Sequence, residues 1–368
     1  MSNLSGRILT PDGWVAGRIE YDEKIASVVG DSGGSGGSDD GVTILPGFVD
    51  LHVPGGGGGD VMQGLAAIRR CAALHASHGT TSFLATTITA PADDIDAAVA
   101  AISEAAQDRG SNEARILGAH LEGPYLNPER LGAQPPFAQA PDLAFIGGLC
   151  DRAPIRLVTL APECDPGHAL IKQLAARDVA VQIGHSGADY DAAMEALAAG
   201  ARGFTHLYNA MSPLHHRAPG VVGAALAHGE YAALIPDLVH VAPGAILAAL
   251  RAVPRLYFVT DATAAAGMPD GEYPLGRHTV TKRGGTVFLA DGTLAGSALT
   301  MDQALRNLVS IGVDLADAAQ RLATYPADFI GAIDRGRIET GAYADFVALD
   351  AELQVTQVVV EGETVFAA

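Results

Sequence analysis

Apolar and polar positions change rhythm twice along the chain. Over residues 1–43 they alternate between turn clusters, and GRILTPDGWVAGRIEYDEKIASVVG reads as short antiparallel strands. The run DSGGSGGSDDG (31–41) reads as a flexible loop. Alternation returns over 335–368. The two ends share a pattern that the middle lacks, which predicts a small β-sandwich domain built from residues 1–43 and 335–368. Between them, over 44–334, short apolar runs alternate with Ala-rich stretches of helical period such as LAAIRRCAALHASHG and ADYDAAMEALAAG. Candidate strands are 43–50, 80–86, 115–121, 155–161, 179–184, 203–206, 232–237 and 256–261. Eight such units in a row predict an α/β chain with a (β/α)8 TIM barrel, whose site residues lie at the C-terminal ends of the strands.

Composition narrows the reading. A chain of 368 residues suits such a barrel with an appended domain, and 48% apolar residues supply a large core. The net charge of −19 argues against nucleic acid and against anionic membrane surfaces as partners. An anionic substrate would need local cations. Cys71, Cys150 and Cys164 are unpatterned, which implies no disulfide framework and a reducing compartment. The N-terminus carries no apolar signal region and no stretch is apolar enough to span a bilayer, so a cytoplasmic protein is expected.

Four polar residues close four of the predicted strands. Glu122, His185, His206 and Asp261 stand in RILGAHLEGP, VAVQIGHSG, ARGFTHLYNAM and LYFVTDA. One carboxylate and two imidazoles form a set that suits one divalent metal, Zn²⁺ or alternatively Fe²⁺, with an open position for water. Asp261 can cap a helix; at the end of the eighth strand, opposite the other three, it suits a general base. His120 shares a strand face with Glu122 and reads as structural. His215, His216 and Arg217 make a cationic cluster in an acidic chain, and a guanidinium fork matches phosphate geometry. Met62, Cys71, His75 and His78 read as packing or surface positions.

PGFVD-x-H, HLEGP, GHS, THLYNAM and VTDA, in that order at strand ends, resemble the amidohydrolase superfamily. Within it, HLEGPYLNP, THLYNAMSPLHHR, PDLVHV and DGTLAGSALTMDQALRN resemble the N-acetylglucosamine-6-phosphate deacetylases over nearly the whole chain. The resemblance implies hydrolysis of the N-acetyl group of N-acetyl-D-glucosamine 6-phosphate, in amino-sugar catabolism, by a homodimer. It implies metal at Glu122, His185 and His206 and base catalysis by Asp261. It assigns the sugar phosphate to Arg217, to the backbone at Asn209 and Ala210, and to His240 acting across a subunit boundary. Ala133, Gln134, Leu294, Ala295 and Gly296 would line the sugar pocket. The chain departs from the pattern twice. His52-Val53-Pro54 stands where His-x-His is usual, which favours a single metal, and Gly132-Ala133-Gln134 stands where Gly-x-His is usual. Gln134 can donate a hydrogen bond to the substrate oxygen but carries no titratable charge. The alternatives are a deacetylase for the galacto epimer and a non-catalytic barrel. An amidohydrolase with a carboxylated lysine is disfavoured, because the fourth strand ends TLAPE without one.

Overall fold

The computed structural model describes residues 1–30 and 41–368. The glycine-serine run expected to be a flexible loop lies outside the described residues except for Gly41.

Eight parallel strands form the central barrel: Phe48–Val53, Thr80–Thr87, Arg115–Glu122, Ile155–Leu160, Ala180–Ile183, Gly203–Phe204, Tyr231–Leu234 and Arg255–Phe258. The first six pair in sequence order and the last two pair with each other. Backbone bonds close the two seams: Leu207 N–H donates to Ala233 at 2.7 Å, Asp261 N–H to His52 at 3.0 Å, and Gly55 N–H to Ala262 at 2.7 Å. Both faces of these strands are covered, so Phe48–Val53 and Thr80–Thr87 are buried at every residue, as parallel strands between helices and a filled interior must be. The Ala-rich stretches form the outer helices. Leu65–Ser77 turns Ile68, Cys71 and Ala72 inward, and Tyr190–Ala199 starts at Asp189, whose carboxylate accepts the Ala192 N–H at 2.9 Å.

The terminal strands form one seven-stranded sheet with its own core of Ile8, Ile19, Ile25, Ile44, Phe346 and Val359. The run expected as one strand over 43–50 is two. Thr43–Pro46 pairs with the N-terminal and C-terminal strands, while Phe48–Val53 begins the barrel. The chain changes sheet at Gly47, where a Cβ would lie 2.2 Å from the Thr81 side chain. Glu361 joins the two parts, accepting from Arg115 at 2.8 Å on the barrel side and from Arg335 beside the sheet.

One element was not foreseen. Gly271–Leu275, His278–Arg283 and Thr286–Phe288 form an antiparallel three-stranded sheet after the last barrel strand, and Leu275, Thr293 and Leu294 carry it over the barrel mouth. Asp60 ties this sheet down by accepting the Gly276 N–H at 2.7 Å. Among the described residues, no helix is long and apolar enough to cross a membrane.

Candidate active site

Glu122 is the last residue of the third strand. The other three residues stand two or three positions past their strands, in left-handed backbone: His185 at φ 48°, His206 at φ 29° and Asp261 at φ 49°. Non-glycine residues adopt this conformation at a cost, and three at one barrel mouth mark a site whose geometry the fold enforces. The turn after Asp261 is held from outside. Ser297 N–H donates to the Asp261 carbonyl at 2.7 Å, and a Cβ on Gly296 would lie 2.9 Å from that oxygen.

The side chains converge. His185 Nε2 and His206 Nε2 each lie 3.0 Å from Glu122 Oε1 and 3.1 Å from each other. For bonds of about 2.0–2.1 Å in a tetrahedral site, ligand atoms stand roughly 3.3 Å apart, so this triangle needs little change to hold a cation. The chemistry of the donors agrees. His185 Nδ1 lies 2.8 Å from the Arg130 carbonyl, which can only accept, so that nitrogen carries the proton. In the neutral ring Nε2 then presents a lone pair to a carboxylate oxygen, an arrangement that calls for a positive charge between them. His206 Nδ1 is buried without a partner. Glu122, His185 and His206 are the one group among the described residues whose ligand atoms gather this closely.

His52 Nε2 sits 3.2 Å from Glu122 Oε2 and 3.4 Å from Asp261 Oδ1. Pro54 beside it offers no ligand atom. Burial pushes the Glu122 carboxyl up, but when the facing imidazole nitrogens carry protons, the charge of His52 and the hydrogen bonds from His185 and His206 outweigh it and hold the group well below the usual range. Asp261 goes the other way: burial raises it, and the charge of His52 only partly offsets that. Below the site, His120 Nε2 meets Thr159 Oγ1 at 2.8 Å, Thr159 meets Thr205 at 2.6 Å, and Gln182 joins Thr205 to the Tyr257 hydroxyl. The barrel interior is therefore filled by a hydrogen-bonded layer, and His120 belongs to it.

A cavity of about 380 Å³ opens above these residues. Ala133, Gln134, Asn209, Ala210, His240, Leu294 and Gly296 line it, together with Glu122, His185, His206 and Asp261. Two predicted residues stand elsewhere. Ala295 packs into the core under the three-stranded sheet. Arg217 is exposed, donates to His216 at 2.7 Å, and borders a separate cavity with Asp189, Tyr190 and Ser212. His240 is fixed within its own chain, its Nδ1 2.6 Å from Asp237 Oδ2. Sequence reasoning missed Arg130, Thr263, Leu275 and Thr293 on the cavity wall. The turn clusters of GEYPLGRHTVTKRGGTVF could have announced the sheet that brings Leu275 there.

The amidohydrolase family profile matches residues 43–365. An N-acetylgalactosamine-6-phosphate deacetylase of Escherichia coli O157:H7 is 38% identical over 367 residues, 97% of each chain. An N-acetylglucosamine-6-phosphate deacetylase of Bacillus subtilis is 39% identical over 339 residues, 88% of this chain and 84% of the relative. Among solved structures, the Mycobacterium smegmatis N-acetyl-D-glucosamine-6-phosphate deacetylase superposes with a TM-score of 0.92 at 34% identity over 99% of each chain; that structure is of an aspartate-to-alanine mutant in complex with N-acetyl-D-glucosamine 6-phosphate. The Thermotoga maritima deacetylase gives 0.91 at 32% identity over the full length of both. With a family profile covering most of its length and relatives this similar from end to end, the chain belongs to the amidohydrolase family.

Proposed function

We propose that this chain is a metal-dependent deacetylase that hydrolyses the N-acetyl group of N-acetyl-D-glucosamine 6-phosphate to D-glucosamine 6-phosphate and acetate. The observation that carries the reading is the triangle of Glu122, His185 and His206 with Asp261 beside it, at the floor of a sugar-sized cavity in a chain similar to deacetylases of this class.

Glu122, His185 and His206 hold one divalent metal, Zn²⁺ or Fe²⁺. Bound there, the metal polarises the amide oxygen and acidifies water. Asp261 accepts the proton of the attacking water as the carbon–oxygen bond forms, then delivers it to the amine nitrogen as the carbon–nitrogen bond breaks. Asn209 and Ala210 on one wall and Leu294 and Gly296 on the other frame the sugar. A phosphate requires cations, and in its own chain the cavity is lined by His240 and Arg130. Arg217 faces away from that cavity, which supports a homodimer in which Arg217 of the partner subunit completes the phosphate site.

The test is acetate release from a panel of N-acetyl amino sugars with and without the 6-phosphate, using protein of known metal content. The gluco 6-phosphate is expected to be the best substrate. The relative named for N-acetylgalactosamine 6-phosphate, similar over 97% of both chains, favours the galacto epimer as the second reading, and a higher kcat/KM for that sugar would select it. Acetate from none of the phosphorylated sugars would refute both.

A further inference from the structure

We propose that Gln134 is a positioning residue for Glu122, acting through the carboxylate oxygen that faces away from the two imidazoles. The inference rests on the metal-centre reading above. Gln134 follows Gly132 and Ala133 in the loop after the third strand. Its side-chain amide is engaged at both ends. Oε1 accepts the Thr89 N–H at 2.7 Å, and Nε2 donates to Glu122 Oε2 at 2.5 Å. The Thr89 amide can only donate and an ionised carboxylate can only accept. Flipping the Gln134 amide would set donor against donor and acceptor against acceptor, so its orientation is fixed.

The two oxygens of Glu122 are thereby divided. Oε1 faces His185 and His206; Oε2 faces Gln134 and His52. The last torsion of a glutamate is soft and roughly two-fold, so a carboxylate without outer contacts turns freely. Gln134, by the shorter of the two contacts to Oε2, restricts that freedom together with His52 and holds Oε1 in the ligand triangle. Thr89 reaches the same residue a second time, its hydroxyl donating to the Glu122 carbonyl at 3.4 Å. One turn after the second barrel strand thus anchors both the main chain and, through Gln134, the side chain of the ligand. An amide serving the substrate oxygen alone would have no use for either bond.

The experiment is metal affinity without substrate, measured by competition with a chromogenic chelator. Gln134→Leu is expected to weaken affinity about ten- to a hundredfold, the usual effect of losing an outer partner of a ligand. Gln134→Asn, one methylene too short to join Thr89 to Glu122, should fall with it. At saturating metal both variants should recover turnover to a greater degree than KM. Gln134→Met, which keeps the length and loses both polar ends, serves if the Leu variant does not fold. Wild-type affinity in the Leu and Met variants would overturn the proposal and leave Gln134 acting on substrate alone. An unmutated chain that bound no metal would overturn the metal-centre reading itself, and that outcome is visible before any variant is made.

Discussion

Asp261 and Gln134 both touch the same small volume, and their expected failures differ. Asp261→Asn keeps size and burial but cannot accept the water's proton. It should retain metal and fold while kcat falls on the order of 10²–10⁴-fold, the usual effect of removing a general base. Turnover near wild type with full metal content would place the base elsewhere. At this scale the sequence was informative where chemistry repeats at strand ends and silent where loops decide. Glu122, His185, His206 and Asp261 were legible because each closes an apolar run. That three of them stand in left-handed turns was not legible, since no residue type there signals positive φ. Gln134 could be read as a donor to substrate, but the loop carries no period from which its bond to Glu122 could follow.

At the level of elements, the barrel strands announced themselves because burial on both faces demands continuous apolar runs. Their ends did not. The sixth strand is expected through His206 but stops at Phe204, and the eighth is expected through Asp261 but stops at Phe258. In each case burial continues past the last strand pairing, through Thr205 and His206 and through Val259 and Thr260. The single expected strand over 43–50 concealed a change of sheet, because both halves are apolar and only Gly47 separates them. The glycine of HLEGP has a related task. Gly123 sits at φ 82°, and a Cβ there would lie 2.3 Å from Thr89 Oγ1, so the second and third strand ends approach too closely for any side chain. Gly123→Ala is expected to destabilise the fold by about 1–2 kcal/mol from the backbone conformation alone, and more from the clash. It should also weaken metal affinity, because the displaced Thr89 anchors Glu122. Thermal unfolding and chelator competition on one preparation check both; an unchanged melting temperature would show that the two strand ends can part without cost.

For the whole molecule, two junctions matter. The first joins the terminal sheet to the barrel through Glu361. Burial pushes its carboxyl up, but the bonds from Arg115 and Arg335 outweigh this and hold it down to about 2. Because the folded value lies below the ordinary 4.5, the stability it contributes is full above that pH and is lost as pH falls toward about 2. Glu361→Gln should cost about 1–3 kcal/mol near neutral pH, where Arg115 loses its charged partner. The gap to wild type should close as pH falls through that window, measured by denaturant unfolding. A gap independent of pH would mean that the carboxylate charge plays no part. The second junction belongs to the proposed homodimer. Arg217→Ala should raise KM for the phosphorylated sugar roughly ten- to a hundredfold and barely touch an unphosphorylated one, as expected for losing charge-assisted contacts. If Arg217 serves the neighbouring cavity while His240 serves its own, a mixed dimer of Arg217→Ala and His240→Ala chains contains one intact phosphate site. Mixing the two should restore activity that neither has alone; no recovery on mixing would put both residues in one chain's site. The negative charge of the chain and the barrel mouth were readable from sequence, whereas the cavity that Arg217 borders depends on where an exposed loop points.

The central claim is that one metal at Glu122, His185 and His206 makes this chain a deacetylase. The most direct measurement is a titration of metal-stripped protein with Zn²⁺ or Fe²⁺, following acetate release from N-acetyl-D-glucosamine 6-phosphate. Activity is expected to be absent at the start, to rise linearly, and to reach its plateau at one equivalent per chain. Full activity without metal, or a plateau only at two equivalents, would contradict it.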